Sequence, residues 1–258
     1  MKDIPIIYDK NHYSVIANDV IKGKQEMTLQ EARILRLLIT QVAKEDKDLK
    51  TYECKIKDLA KFLNVDGSNI YREIKSICDS LAQRVVRVGT GNPRNPWQTF
   101  SWLQLAKYDG NGTITLMLSE QIKPFVLDLD KYFTQYQLVN VLDMNSFYAI
   151  RLYELIKSEE YKAEFGNEYQ EYTIDFLREF FCCEKKYSLF SNFKMRVLDI
   201  AIKEINEKSD LEIRYTDYIK DGRKVVAIRF WTFDNQNVIR QHQRLDGQLS
   251  FLNYEDKL

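Results

Sequence analysis

A chain of 258 residues is long enough to bury one large core or two small ones. Its 38 basic and 38 acidic side chains cancel, so no global field draws it to nucleic acid or to an anionic membrane, and any polyanion site must rest on local charge. A 45% hydrophobic and 13% aromatic content, with 9 Gly and 4 Pro, excludes a low-complexity chain and fits a folded, soluble one.

No run approaches the roughly 18 apolar residues of a membrane span, and Met1-Lys2-Asp3-Ile4-Pro5 lacks the apolar core of a signal peptide. The expectation is a cytoplasmic protein without a membrane partner. Cys54, Cys78, Cys182 and Cys183 form no C-x-x-C pair, and adjacent cysteines are poorly placed to share a bridge or a metal, so reduced, buried thiols are expected.

Along the chain, His12 to Ile21 fits a strand or a short helix. Thr28-Leu-Gln-Glu31 is a capping box, and Ala32, Leu35, Leu38, Ile39 and Val42 make the apolar stripe of a helix that fades in Lys44 to Asp48. Ile56 to Val65 follows as a short helix with a small Ala60, then Asp66-Gly67 as a turn. Ser68 is placed as the N-cap of a helix that turns Ile70, Ile74, Ile77 and Leu81 inward. Two short helices around a tight turn are a helix-turn-helix pattern, with Asn69, Arg72, Lys75 and Ser76 outward. From Ser68 to Arg94, Arg72, Lys75, Arg84, Arg87 and Arg94 outnumber Glu73 and Asp79, the local excess that phosphate contact requires.

Val85 to Leu118 alternates. Thr99 to Leu105 and Thr113 to Leu118 face each other as a hairpin across Asp109-Gly110-Asn111-Gly112, after a Pro-containing lead-in, Gly91 to Pro96. Residues 119–143 read as a helical connector that packs through Tyr132, Phe133 and Tyr136.

The order then repeats. Met27, Ala32, Leu35 and Leu38 match Met144, Ala149, Leu152 and Leu155, while Ile56, Leu59 and Phe62 match Ile174, Leu177 and Phe180. From Phe190, the residues Phe193, Val197, Ile200, Ala201 and Ile205 mark an inward helical face, with Asn192, Arg196, Asp199 and Lys203 outward. Two alternating runs follow, joined at Lys220-Asp221-Gly222-Arg223, an Asp-Gly hairpin signal. Helix, turn, helix and a basic-tipped ribbon read as a winged helix. The fold class is therefore α+β, tandem winged-helix domains (helix-turn-helix plus β-hairpin wing) over 1–130 and 131–233. Residues 234–258 form an amide-rich tail, flexible or a docking peptide.

At Tyr187-x-x-Phe190-x-x-Phe193-Lys194-x-Arg196-Val-Leu-x-x-Ala201-x-x-Glu204-Ile-Asn206, then Asp210-Leu-Glu-Ile-Arg-Tyr and Gly222-Arg223-Lys224-Val, the chain resembles plasmid replication initiators of the Rep_3 superfamily. The stretches from Asn145 to Ile156 and from Asn18 to Ile21 fit the same family, and the resemblance covers residues 12–233. It implies a protein that binds double-stranded DNA at directly repeated origin sites (iterons), helps open the duplex and recruits host replication proteins such as helicase or initiator. It also implies a homodimer in equilibrium with monomer, the dimer repressing its own gene through contacts of the first domain. The family's base-reading helix carries over to Ser188 through Lys203, with Lys194 and Arg196 at matching positions. Asp199, Glu204 and Glu207 on the same helix confine base contact to its first turns.

Asn192, Lys194 and Arg196 are thus the candidate base and phosphate contacts of the second domain, with Ser188 and Lys203 in the same segment. Lys220, Arg223 and Lys224 at the ribbon tip would meet the DNA backbone or minor groove. In the first domain Ser68, Asn69, Arg72 and Lys75 would enter a second major-groove segment, with Arg84 and Arg87 on phosphates. Tyr187 either donates to a phosphate or fills the core. Only His12 and His242 are present, far apart, and no phosphate loop or nucleophile elbow occurs; the expectation is a non-enzyme with no cofactor, metal or small-molecule substrate. A winged-helix transcriptional regulator without initiator activity needs the same groove contacts and is the alternative.

Overall fold

The computed structural model describes residues 3–89, 96–161, 169–215 and 218–243. Arg94, most of the Pro-containing lead-in and the chain beyond residue 243 lie outside the described residues.

The N-terminal segment gives β1 (Ile4–Pro5), β2 (Tyr13–Ala17), α1 (Asn18–Lys22) and β3 (Lys24–Gln25), so the stretch from His12 to Ile21 is strand and then helix. The first module proper is α2 (Leu29–Ile39), β4 (Thr51–Lys55), α3 (Ile56–Phe62), α4 (Ile70–Ala82), β5 (Val85–Gly89), β6 (Trp97–Ser101), β7 (Leu103–Tyr108) and β8 (Thr113–Leu118). The Thr28 capping box is present: its hydroxyl accepts from Glu31 N and its own N–H donates to Glu31. Strand order β1-β4-β8-β7 makes the module's sheet, and β7 and β8 are its hairpin.

The run from Thr99 to Leu105 is not one strand. The chain breaks at Trp102, whose indole is almost fully buried, and β6 pairs with β5 in a separate sheet, order β3-β5-β6. Alternation alone could not locate that break, since both halves alternate. Gly23 sits where β5 passes: a Cβ there would lie 2.8 Å from Arg87 O, so only glycine permits the approach.

Residues 119–143 are not a helical connector. A 3-10 segment (Glu120–Phe125) leads to β9 (Phe133–Gln137), which pairs antiparallel with β2 along its whole length, and then to α5 (Val139–Leu142). Tyr136 is buried as expected, but Tyr132 is 76% exposed and Phe133 37%.

The second module repeats the first: α6 (Phe147–Ser158), β10 (Gln170–Thr173), α7 (Ile174–Phe180), α8 (Phe190–Phe193), a π-helical turn (Lys194–Leu198) running into α9 (Asp199–Lys208), then β11 (Leu211–Arg214), β12 (Tyr218–Asp221) and β13 (Lys224–Asp234). In each module the strand after the first helix pairs with the last long strand: β4 with β8, β10 with β13. Both therefore are winged helices, α+β in class. The start of the segment expected to be flexible or a docking peptide is helical at 236–243 and packs on the second module, with Val238 buried and Asn235 Nδ2 donating to Asn206 O at 2.7 Å.

One apolar core runs through both modules, from Leu35 and Leu38 of α2 to Leu152 and Leu155 of α6. A buried polar joint crosses it. Arg36 Nε and Nη2 donate to the two carboxylate oxygens of Glu154 at 3.0 and 2.8 Å, and the Tyr136 hydroxyl donates to the same carboxylate. Arg151 donates to Ile21 O and Gly23 O at 2.7 and 2.8 Å and lies 4.0 Å from the centre of the Phe180 ring. The Arg36–Glu154 fork is the paired, hydrogen-bonded form in which charge survives in a core, whereas Arg151 keeps its Nε without a hydrogen-bond partner among the described residues.

Candidate nucleic-acid interface

The second module presents its long helix through a pinned lead-in. Arg178 of α7 donates to Lys186 O and Ser188 O at 3.0 and 3.2 Å, while its guanidinium sits 4.7 Å over the Phe193 ring. Cys182 and Tyr187 adopt left-handed φ values of 54°, and the Tyr187 ring packs against the core. Arg178 went unnoticed in the sequence because it lies on the helix before the one it positions.

From Phe190 to Lys208 the helix is continuous, with buried residues Phe193, Val197, Ala201 and Ile205 at steps of four. An α-helix of 3.6 residues per turn would rotate such a stripe away from the core. The π turn, closed by Asp199 N–H donating to Lys194 O, widens one turn and keeps the stripe in line. It also moves Ile200, expected inward, to the surface at 43% exposure, and Leu198 and Ile202 take core positions. Asn192, Arg196 and Lys203 are exposed as expected. Met195, which sequence reasoning missed, stands between the first two at 52% exposure; an apolar residue on a polar face was the available signal.

The charged groups differ in freedom. Arg196 has no ion pair among the described residues and borders the seam between modules near Thr28, Asn145 and Glu204. Lys194, expected on the DNA-facing side, is half-buried and held: its ammonium donates to both oxygens of Asp199 at 2.7 and 2.8 Å and lies 5.3 Å from the Tyr215 ring centre. Lys203 pairs loosely with Glu207 at 3.9 Å. Glu204 faces inward to the start of α6, where its carboxylate accepts from Asn145 N and from Ser146 N at 3.2 Å. That capping role uses the unpaired amides and positive end of α6, which explains an acid on this helix without any part in binding.

Beyond α9, β12 and β13 form the ribbon. Asp221 pairs with Lys224 around the two-residue loop Gly222-Arg223, and Gly222 takes φ 57°, the left-handed geometry that tight hairpins require. Lys220, Arg223 and Lys224 are all exposed.

In the first module α4 begins at Ile70 with Asn69 at the N-cap position and no side-chain cap bond, so Ser68 is not the cap. Ser68 and Asn69 just before α4, and Arg72, Lys75 and Ser76 on it, are exposed as expected, and Lys75 donates to Asp79 at 2.7 Å. Gly112, in the β7–β8 turn, lies close to the Tyr71 ring, which brings hairpin and helix together; exposed Tyr108 on β7, paired with core-facing Ile114, extends this surface beyond the residues singled out from sequence, while exposed Lys107 points to the other face of the sheet. Arg84 faces elsewhere: its Nε donates to the almost fully buried Glu31 carboxylate at 2.9 Å. Burial works to raise the Glu31 carboxyl, but hydrogen bonds involving Ser80, Thr28 N–H and Arg84 hold it below its ordinary value. Arg87 is exposed on β5, donates to Thr99 Oγ1 at 3.3 Å, and lines an open cleft of about 840 Å³ with Lys22, Lys24, Trp97 and Phe176.

Cys54, Cys78 and Cys183 are buried free thiols and Cys182 is a half-buried one, with burial pushing Cys54 up to about 11 and Cys78 to about 12. No group of three or more His, Cys, Asp or Glu among the described residues could hold a metal, and no helix among them is long and apolar enough to cross a membrane.

Two family models match the chain: "Initiator Replication protein, WH1" over residues 14–157 and "Initiator Rep protein, WH2" over residues 173–231. Among curated proteins, a replication initiation protein of Escherichia coli is 23% identical over 205 residues, covering 76% of this chain and 63% of that one. The PI protein of Escherichia coli is 30% identical over 132 residues, covering 46% and 43%. The matched stretches span less than two thirds of either relative. Among solved structures, the crystal structure of Pi initiator protein in complex with iteron DNA superposes with a TM-score of 0.71 at 20% identity, covering 88% of this chain and 99% of that one, which is a likeness of fold.

Proposed function

We propose that this chain, which belongs to the plasmid replication initiator family with two winged-helix domains, is a sequence-specific double-stranded-DNA-binding initiator that engages directly repeated origin sites. The observation that carries the reading is the pair of uncovered helix-and-hairpin faces. Each module buries one side of its last helix, α4 or the helix from Phe190 to Lys208, and leaves the other open and carrying Arg and Lys beside a hairpin: Arg72 and Lys75 beside the β7–β8 turn, and Arg196 with Lys220, Arg223 and Lys224 of the ribbon. The Pi initiator protein is solved on iteron DNA, which supports iterons as the ligand class here.

In this reading Asn192, Met195 and Arg196 meet base edges in a major groove, Met195 offering an apolar contact to a thymine methyl. The cations at the ribbon tip, together with Ser188 and Lys203, hold the backbone; Asn69, Arg72 and Lys75, with Ser68 at their head, do the same work in a second groove segment. Arg84 acts through Glu31 and is not a contact. The domains divide the task near residue 130, and the protein acts without a cofactor or catalytic step in the cytoplasm. It opens the duplex, recruits host replication proteins and represses its own gene as a dimer.

Titration of the full chain against a duplex carrying direct repeats about two helical turns apart, and against its scrambled counterpart, tests the binding. A ratio of about a thousandfold or more is expected for a specific reader, and equal affinities would overturn the reading. Initiation is separated from simple repression by whether a plasmid carrying the gene and its repeats replicates in a host that otherwise cannot maintain it.

A further inference from the structure

Lys194 and Asp199 stand five residues apart, a spacing that does not place side chains on one face of an α-helix, where neighbours are three or four apart. They meet because the π turn begins at Lys194 and ends against Asp199, whose N–H closes it onto Lys194 O. One widened turn therefore builds a bidentate pair that the regular helix could not. The Asp199 carboxylate has a second donor, the Tyr215 hydroxyl from the chain just past β11. Both members of the pair remain open to solvent, with side chains 33% and 40% exposed, so a competing anion can reach the ammonium.

We propose that Asp199 is an internal substitute for a DNA phosphate, which holds Lys194 in place until the seated duplex displaces it and thereby withholds this cation from non-cognate DNA. The proposal rests on the reading of this helix as the DNA-facing one. A free ammonium attracts every duplex alike, whereas a held one contributes only where the helix sits deep enough for a phosphate to take the place of the carboxylate. An exposed ion pair is weak, so the exchange costs little, and Asp199 keeps the Tyr215 hydroxyl afterwards. Sequence specificity thus gains from a group that touches no base.

The test uses the full chain, a duplex selected by the wild-type protein from a random pool, and the same duplex scrambled, each titrated from about 50 to 200 mM salt. Asp199→Asn should bind the scrambled duplex several-fold more tightly at low salt, with a log–log salt slope steeper by about 0.9, and its ratio of selected to scrambled affinity should shrink. Lys194→Gln should leave scrambled binding near wild type and weaken selected binding. The double variant should behave as Lys194→Gln alone. Tyr215→Phe keeps the ion pair and should show no gain on scrambled DNA. Weaker or unchanged scrambled binding by Asp199→Asn, a gain that survives in the double variant, or a gain in Tyr215→Phe would each overturn the proposal. A wild-type protein that binds neither duplex would instead remove the DNA reading itself, and the role of Asp199 with it.

Discussion

Among the basic residues, position in the fold sorts function more sharply than charge does. Arg84 and Arg196 look alike in the sequence, one just past an amphipathic helix and one on such a helix, yet the first neutralises buried Glu31 and the second stands in solvent. Arg196→Ala is expected to cost about 1–3 kcal/mol on a cognate duplex and to blur one base position, with little effect on a scrambled one, read by competitive titration. Arg84→Ala is expected to leave DNA affinity of the folded protein unchanged and to lower stability by about 1–3 kcal/mol in denaturant unfolding, because a buried charged acceptor loses its donor. Glu31 carries a pH signature as well. Its folded-state pKa lies below the ordinary 4.5, so its contribution is complete above that value and disappears as pH falls through the lower folded one. Glu154 behaves likewise: burial pushes its carboxyl up, but the Arg36 guanidinium more than offsets this and holds it low. Thermal melts should therefore show stability falling on acidification below about pH 4.5, and Glu154→Gln should flatten that fall.

At the level of elements, the main helices and the Thr28 cap were legible in the sequence because their signals are local, whereas Ser68 proved not to cap α4. Thr28 with Glu31, the start of α3 at Ile56 and of α7 at Ile174, and the Gly222 hairpin stand where the residues place them. What was not legible depends on distant partners. β9 is a strand because β2 lies beside it, and nothing between Phe133 and Gln137 alone announces that. The π turn was hidden for a different reason: a stripe at steps of four, from Phe193 to Ile205, reads as an ordinary helical face when Ile200 is counted in it. Thus the candidate contacts on the helix were found, but the pairing of Lys194 was not. The ribbon tip makes a separate claim. Lys224→Ala should weaken cognate and scrambled duplexes alike and reduce the salt slope by about one, whereas a loss confined to the cognate site would move Lys224 from the backbone to a base.

Over the whole molecule, the two modules are joined through the middle of a shared core, and Arg36 with Glu154 is the charged part of that joint. Arg36→Ala alone should cost about 3–5 kcal/mol by stranding a buried carboxylate, while Arg36→Met with Glu154→Leu should recover most of that stability. If the joint also fixes the spacing of the two reading helices, the double variant will remain folded yet discriminate less well between cognate duplexes of altered repeat spacing. The clasp of β2 by β9 reaches further, into how the protein is made. β2 leaves the ribosome ahead of the first module, but its neighbour is translated only after that entire module, so an edge of Tyr13, Val15 and Ala17 stays open throughout that interval. A fragment stopped near residue 130 keeps that edge permanently bare and should clump with its own kind, whereas one extended past α5 should stay dispersed.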